Sequence, residues 1–415
     1  MIAQHLRVTC RRKEKTIAAL ITVALTVLLS YEPLVHAQSF NCGSTGADGA
    51  LNVTTPGTYD FYPGNTQLFS SPVDPEGDNI YHFTTINIAS GVTLRMTGKF
   101  LNGPVFLLAS GVVQIDGTID LNGGGGHLST TILAERVPSI PGAGGYSGGV
   151  GGNSTSPAQP GLGPGGGAII GNGFGGGGSF TGNAFLVPLI GGSGGGGVRV
   201  NTSFFGAGGG AGGGALLLCS STSIVVSGTI SANGGGGDPL SNPGGGSGGA
   251  IRLVTPTLSG AGTLNVGGGA GGGVSPGGSG RIRLEAFQNT FNGGSINTSI
   301  GTLASPFALF LPTTPAPSVR VVSVDGQPVP ANPTGSFTVP DVAINKSAAV
   351  TVQIAASNIP PGTVVKLYIS SENAPDQTID SLPLAGTLAT STATASVVLP
   401  PGFSRGFVRA TWPTQ

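Results

Sequence analysis

Short apolar blocks separated by glycine runs recur along the chain. ALLLC starts at Ala215, AIRLV at Ala250 and RIRLE at Arg281, spaced 35 and then 31 residues apart. In the first two copies a GT-aliphatic element follows, at Gly228 and Gly262, and then more glycine. An earlier copy, VFLLASGVVQIDGTIDLNGGGG, runs from Val105 to Gly126. Repeats of this length predict a stacked array in which each unit supplies one layer. In an extended chain alternate side chains point to opposite faces. One face carries Leu216, Ile251 and Ile282, then Leu218, Leu253 and Leu284. The other carries Ala215, Ala250 and Arg281, then Leu217, Arg252 and Arg283, then Cys219, Val254 and Glu285. The uniformly aliphatic face is expected inside. The mixed face is expected to point outward or against a covering loop. A single unit cannot bury its apolar side alone, so units stack about 4.8 Å apart with like over like. Glycine suits the corners because it accepts positive φ without steric cost. Asn122 and Asn233 occupy matching positions after GTI, and Asn is the next most tolerant residue there.

The stretch GVTLRMTGKFLNGPVFLLASGVVQIDGTIDLNGGGG, Gly91 to Gly126, and the repeats to Phe287 resemble a right-handed parallel β-helix of the pectate-lyase-like kind. More narrowly they resemble the glycine-rich β-helical proteins of bacterial surfaces. The resemblance covers roughly residues 80–300 and implies an architecture; it brings no catalytic residue with it.

Other segments differ in character. Residues 38–80, with ALNVTTPGTYDFYPG, predict an N-terminal β cap over the first layer, and residues 81–304 form the glycine-rich array. An insertion occupies 127–211; from Pro141 to Gly210, 29 of 70 residues are glycine and Arg199 is the one charged residue. This insertion is either a flexible excursion or a set of extended polyglycine helices joined by backbone hydrogen bonds, with Phe174, Phe180, Phe185, Phe204 and Phe205 as anchors. Residues 305–318 read as a proline-rich linker. From 319 to 415 the pattern becomes SVRVVSV, SFTVPDVAI, AAVTVQIAA, TVVKLYISS, TATASVVL and GFVRATW, divided by DG, PPG and APD turns. That alternation predicts a β-sandwich of the immunoglobulin or fibronectin type. The fold class expected is therefore all-β: a parallel β-helix solenoid with glycine-rich loops, then a sandwich.

Composition changes this picture mainly at the N-terminus. Glycine accounts for 77 and proline for 31 of 415 residues, yet charged residues are only 8% and hydrophobic ones 38%, unlike a disordered chain. Arg7, Arg11, Arg12, Lys13 and Lys15 precede the apolar run Thr16 to Ser30, and VHA ends at Ala37. This is the form of a secretory signal peptide over residues 1–37, with an uncleaved anchor as the alternative. Its removal leaves 12 Lys and Arg against 15 Asp and Glu, a formal net charge of −3. That balance gives no basic face for nucleic acid. No second long apolar run follows, so no transmembrane segment is expected in the mature chain. Cys42 and Cys219 remain after cleavage, and in an oxidising compartment they either form a disulfide or stay as thiols.

Chemistry-bearing motifs are sparse. Past the leader the histidines are His82 and His127, without HExxH or a Cys/His cluster, so neither a metal nor a cofactor is expected. GPGGGAIIG, from Gly163, lacks the GK[ST] of a phosphate loop, and GGSGG at Gly191 lacks readable triad partners. The candidate catalytic pair is Asp116 and Asp120 in QIDGTID, since two carboxylates on one face can cleave a glycan. Arg252 and Arg283, in register on adjacent layers, are the candidates for binding a uronate carboxylate. The Thr-rich stretch Thr390 to Ser396 occurs once and does not follow the period, which argues against an ice-binding array. The function expected is a non-catalytic secreted or cell-surface structural or adhesion protein whose partners are extracellular polysaccharide or surface proteins. The alternative is a polysaccharide-degrading lyase or hydrolase of the β-helix class.

Overall fold

The computed structural model describes residues 40–412, apart from 76, 102, 133–134, 172, 274, 297–299, 308, 313–316, 331–332, 334–339, 372–373 and 375–376. The leader expected at 1–37 lies outside the described residues. Every regular element described is a β-strand, and no helix among the described residues is long and apolar enough to cross a membrane.

The strands come in successive sets. The first set is β1 (Leu51–Val53) and β2 (Gly57–Asp60). Then come β3 (Ile80–Phe83), β4 (Ile86–Ile88) and β5 (Val92–Arg95). The next two sets are β6 (Val105–Ala109), β7 (Val113–Ile115) and β8 (Thr118–Asp120), and β9 (Ala215–Ser220), β10 (Ser223–Val226) and β11 (Thr229–Ser231). After these, β12 (Ala250–Ser259) and β14 (Arg281–Asn289) are long strands followed by β13 (Thr263–Asn265) and β15 (Gly294–Ile296), with β16 (Ile300–Ala304) last. Every pairing among them is parallel and joins one set to the next. β3, β6, β9, β12, β14 and β16 form one row. β1, β4, β7 and β10 form a second, which merges with the first because β12 also pairs with β10. β2, β5, β8, β11, β13 and β15 form a separate six-stranded sheet. The segment expected to cap the array thus supplies its first strands, and β15 and β16 extend the parallel pairing beyond Phe287, where the sequence pattern fades.

The aliphatic face stacks as expected. Val105, Leu216, Ile251 and Ile282 are register partners in one column; Tyr81, Leu107, Leu218, Leu253 and Leu284 make the next. With Ile86, Ile115 and Ile224 from the second row and Leu94, Ile119, Ile230 and Leu264 from the six-stranded sheet, they form one buried cluster. The corner between the second row and the six-stranded sheet falls at Gly117, Gly228 and Gly262. A Cβ at Gly228 would overlap the Gly117 carbonyl oxygen of the layer beside it, so only glycine permits that approach.

The other face of the first row is also covered. Phe106, Leu108, Ala215, Leu217, Cys219, Ala250 and Val254 pack with Cys42, Leu186 and Leu189 in a second buried cluster. Phe40, Phe180, Leu309 and Leu311 close its edge. The mixed face is therefore an interior, roofed by Phe40 and Cys42, the insertion and residues after β16.

Of the two forms open to the insertion, the structure shows the hydrogen-bonded one. Tyr146, Gly149 and Gly152 donate through their N–H groups to the carbonyls of Gly192, Gly195 and Val198. Gly192, Gly195 and Val198 in turn donate to Gly213, Gly210 and Ala207. The period is three, that of an extended threefold helix. Along the central segment, consecutive N–H groups reach three different neighbours: Gly208 to His127, Gly209 to Gly149, Gly210 to Gly244, then Ala211 to Gly124, Gly212 to Tyr146 and Gly213 to Ser247. Packing on all sides leaves no room for side chains; a Cβ at Gly210 would overlap the Gly235 carbonyl oxygen. Of the expected anchors, Phe180 joins the second cluster. Phe185 and Phe205 lie under guanidinium groups, although Phe185 is exposed, as are Phe174 and Phe204.

The C-terminal strands are antiparallel: β17 (Ser318–Val324), β18 (Gln327–Pro328), β19 (Val350–Ser357), β20 (Val364–Ser371), β21 (Gln377–Pro383), β22 (Ala385–Gly386), β23 (Ser391–Val397) and β24 (Ser404–Ala410). One sheet has the order β18-β17-β19-β23-β22 and the other β21-β20-β24. Val350, Val352, Ile354, Ala395 and Val397 from the first share one apolar cluster with Val365, Leu367 and Ile369 from the second. SFTVPDVAI lies partly outside the described residues, and its described part forms no strand. β21 was not expected, because QTIDSLP has a weak apolar alternation.

Candidate functional site

The charged ladder on β12 and β14 is internal. Arg252 is 1% exposed, Arg283 3% and Glu285 0%. One Glu285 oxygen, Oε1, accepts from Nε of Arg252 at 2.9 Å and from Nε of Arg283 at 2.6 Å. Nη2 of Arg252 reaches Oε2 at 3.3 Å. Two cations face one anion, so a positive charge remains. Aromatic faces take it up: Phe307 lies 4.7 Å from the Arg252 guanidinium and 5.5 Å from that of Arg283. Phe185 is 5.2 Å from Arg283, and the Ala184 carbonyl accepts from Nη1 of Arg283 at 3.4 Å. Ring quadrupoles attract desolvated cations in this way. The two arginines expected to receive a uronate are thus committed to a protein carboxylate and two phenyl rings.

Asp116 and Asp120 lie on opposite sides of a corner, because β7 ends at Ile115 in one sheet and β8 begins at Thr118 in the other. Asp116 accepts from the Gln114 side-chain amide at 2.7 Å. Asp120 accepts from the Asn122 N–H at 2.9 Å and is the register partner of Arg95. Arg95 is itself paired with Asp60 at 2.7 Å.

Asp120 belongs to a larger arrangement that the period alone did not reveal. Thr58, Thr93, Thr118, Thr229 and Thr263 are successive register partners across β2, β5, β8, β11 and β13. All five point away from the buried Leu94, Ile119, Ile230 and Leu264. Two residues further along, on the same side, stand Asp60, Arg95, Asp120, Ser231 and Asn265. Among the described residues, none of the five threonine hydroxyls hydrogen-bonds another protein group. A threonine array that follows the layers therefore exists on this sheet, where the expectation placed threonine only at Thr390 to Ser396. The available signal was the recurring threonine after Gly57, Gly117, Gly228 and Gly262.

The remaining titratable groups serve local structure. His127 accepts from the Gly151 N–H at 3.1 Å, and burial lowers its pKa, favouring the neutral ring. Asp74 accepts from the N–H groups of Asp78 and Asn79. Burial, reinforced by the Asp78 carboxylate, still raises its pKa to about 6. Cys42 and Cys219 are both buried free thiols. Among the described residues no cluster of three or more His, Cys, Asp or Glu side chains is placed to hold a metal ion. Comparison with protein-family models, curated proteins and solved structures finds no significant match.

Proposed function

We propose that this is a non-catalytic secreted or cell-surface structural and adhesion protein that binds extended extracellular polysaccharide. In this reading the parallel strands coil as a right-handed β-helix, and the C-terminal sheets form an immunoglobulin- or fibronectin-like sandwich that serves as an interaction module. The observation that carries the reading is the threonine ladder with its polar neighbour column. Its hydroxyls repeat about every 4.8 Å along the stack, a step comparable with one sugar unit of an extended glycan. Each layer offers one threonine hydroxyl, accompanied by a carboxylate, guanidinium or amide in every layer except that of Ser231, which is buried; these are the group types that exchange hydrogen bonds with sugar hydroxyls. Asp60 and Asp120 flank Arg95, so the face has little net charge, and neutral glycans suit it better than polyuronates.

The test is retention on a panel of insoluble neutral and acidic polysaccharides, with the soluble fraction assayed for new chain ends. Retention on a neutral glycan that falls when Thr118, Thr229 and Thr263 are together changed to Val supports the proposal. Released ends, lost in Asp120→Asn, would make the protein an enzyme instead. Retention unchanged by the threonine substitutions would move the binding face elsewhere.

A further inference from the structure

We propose that Cys42 and Cys219 are a disulfide pair which, once oxidised, clasps the segment around Cys42 onto the roofed face of the first row of strands. The proposal stands apart from the glycan-binding reading and draws on different residues.

The geometry converges on the two sulfurs from several directions. Cys219 sits in β9 on the side that carries Ala215 and Leu217, between Leu108 of β6 and Val254 of β12. Cys42 approaches the same place from 177 residues earlier in the chain. Its Sγ donates to the Ala109 carbonyl at 3.0 Å, and its N–H donates to Oγ of Ser221 at 3.1 Å. Both partners lie just past Cys219: Ala109 is the register partner of Ser220, the next residue in β9, and Ser221 follows it. Oγ of Ser221, two residues past Cys219, donates to Sγ of Cys42 at 3.3 Å. Both cysteines belong to one buried cluster, with Cys42 2% and Cys219 0% exposed.

The chemistry is thiol–disulfide exchange, and it requires a disulfide donor such as oxidised glutathione or an oxidoreductase of an oxidising compartment. The Cys42 thiolate attacks the donor disulfide, forming a mixed disulfide and expelling one donor thiolate. The Cys219 thiolate then attacks Sγ of Cys42 and expels the second. The pair loses two electrons and two protons, and the donor leaves as two thiols. Because both sulfurs are covered in the folded protein, exchange takes place before Phe40–Cys42 docks, and the finished bond is shielded from reductant. A clasp here would fasten the residues that roof Leu108, Leu217 and Val254.

The test uses the full chain exported into an oxidising compartment, unfolded in denaturant with an alkylating agent and no reductant, then mapped by mass spectrometry. The expected result is that neither Cys42 nor Cys219 is alkylated and that their peptides appear as one linked species, two hydrogens lighter than the sum, which separates on reduction. Reductant in native buffer should leave the link intact, and reductant with denaturant should break it. In Cys42→Ser the Cys219 thiol should become alkylatable, and in Cys219→Ser that of Cys42. As a check that does not depend on export, wild-type chain refolded with oxidised glutathione should form the same link. Alkylation of both cysteines in exported and glutathione-refolded protein would overturn the proposal. So would a bond that joins two chains.

Discussion

Nε of Arg252 lies 2.9 Å from Oε1 of Glu285, a carboxylate supplied by the adjacent layer 33 residues later, and both side chains are buried. Arg283 approaches the same oxygen at 2.6 Å. The glycine-rich chain thus holds an ion triad in an otherwise apolar interior. Its geometry explains why two stacked arginines are tolerated: the anion between them and the rings of Phe307 and Phe185 offset their repulsion.

Removing the anion is therefore expected to be costly. Glu285→Ala leaves two buried guanidinium groups without a carboxylate and should lower unfolding free energy by about 3–5 kcal/mol. Replacing the whole triad with Met and Leu of similar volume should be near neutral or stabilising, because buried ions also lose hydration. Urea denaturation of the single and triple variants measures both.

The glycine bundle predicts a contrast between two neighbouring runs. Gly210→Ala places a methyl group against the Gly235 carbonyl oxygen in a segment with no free side and should cost at least ~2 kcal/mol. Gly278→Ala meets its nearest atoms, on Gly178 and Ser179, at 3.7 Å and should change stability by less than about 1 kcal/mol. Thermal unfolding of the two variants side by side tests whether the run is packed.

Asp74 predicts a pH dependence. Its pKa is raised on folding, chiefly by burial, to about 6. The folded state therefore binds its proton more tightly than the unfolded chain does. The stability that this provides is complete below the ordinary carboxylate range and is lost as pH rises through about 6. Asp74→Asn removes the titration, so the stability of this variant relative to wild type should rise between acid and neutral pH. Wild type and variant denatured in urea at each pH give the slope; parallel curves would refute the assignment.

The threonine ladder predicts additive behaviour along one face. Thr118→Val, Thr229→Val and Thr263→Val each remove a hydroxyl while keeping the branched shape that suits a strand. Retention on a neutral glycan should fall with each added substitution, roughly tenfold or more for the triple variant at about 0.5–1.5 kcal/mol per hydrogen bond. Stability should change little, since none of these hydroxyls bonds another described protein group.

The stacking register was legible in the sequence because layers of a parallel array set like residues over like. Leu216, Ile251 and Ile282 declare their common column by type and spacing, and so do the alternating strands at β17, β19, β20, β23 and β24. The glycine corner at Gly228 and Gly262 was legible for the same reason. What only the tertiary structure decided depends on partners far apart in the chain. Arg252, Arg283 and Glu285 look like an outward ladder until Phe185 and Phe307 roof them. The glycine run carries no side-chain signal, and its order comes from backbone bonds between segments tens of residues apart, such as Gly210 to Gly244. The threonines stay hidden because their spacings are unequal: 35 residues from Thr58 to Thr93, 25 to Thr118, 111 to Thr229 and 34 to Thr263. Local pattern reports which face a strand buries; only the closed fold determines what covers the other face, because that cover is assembled from distant segments.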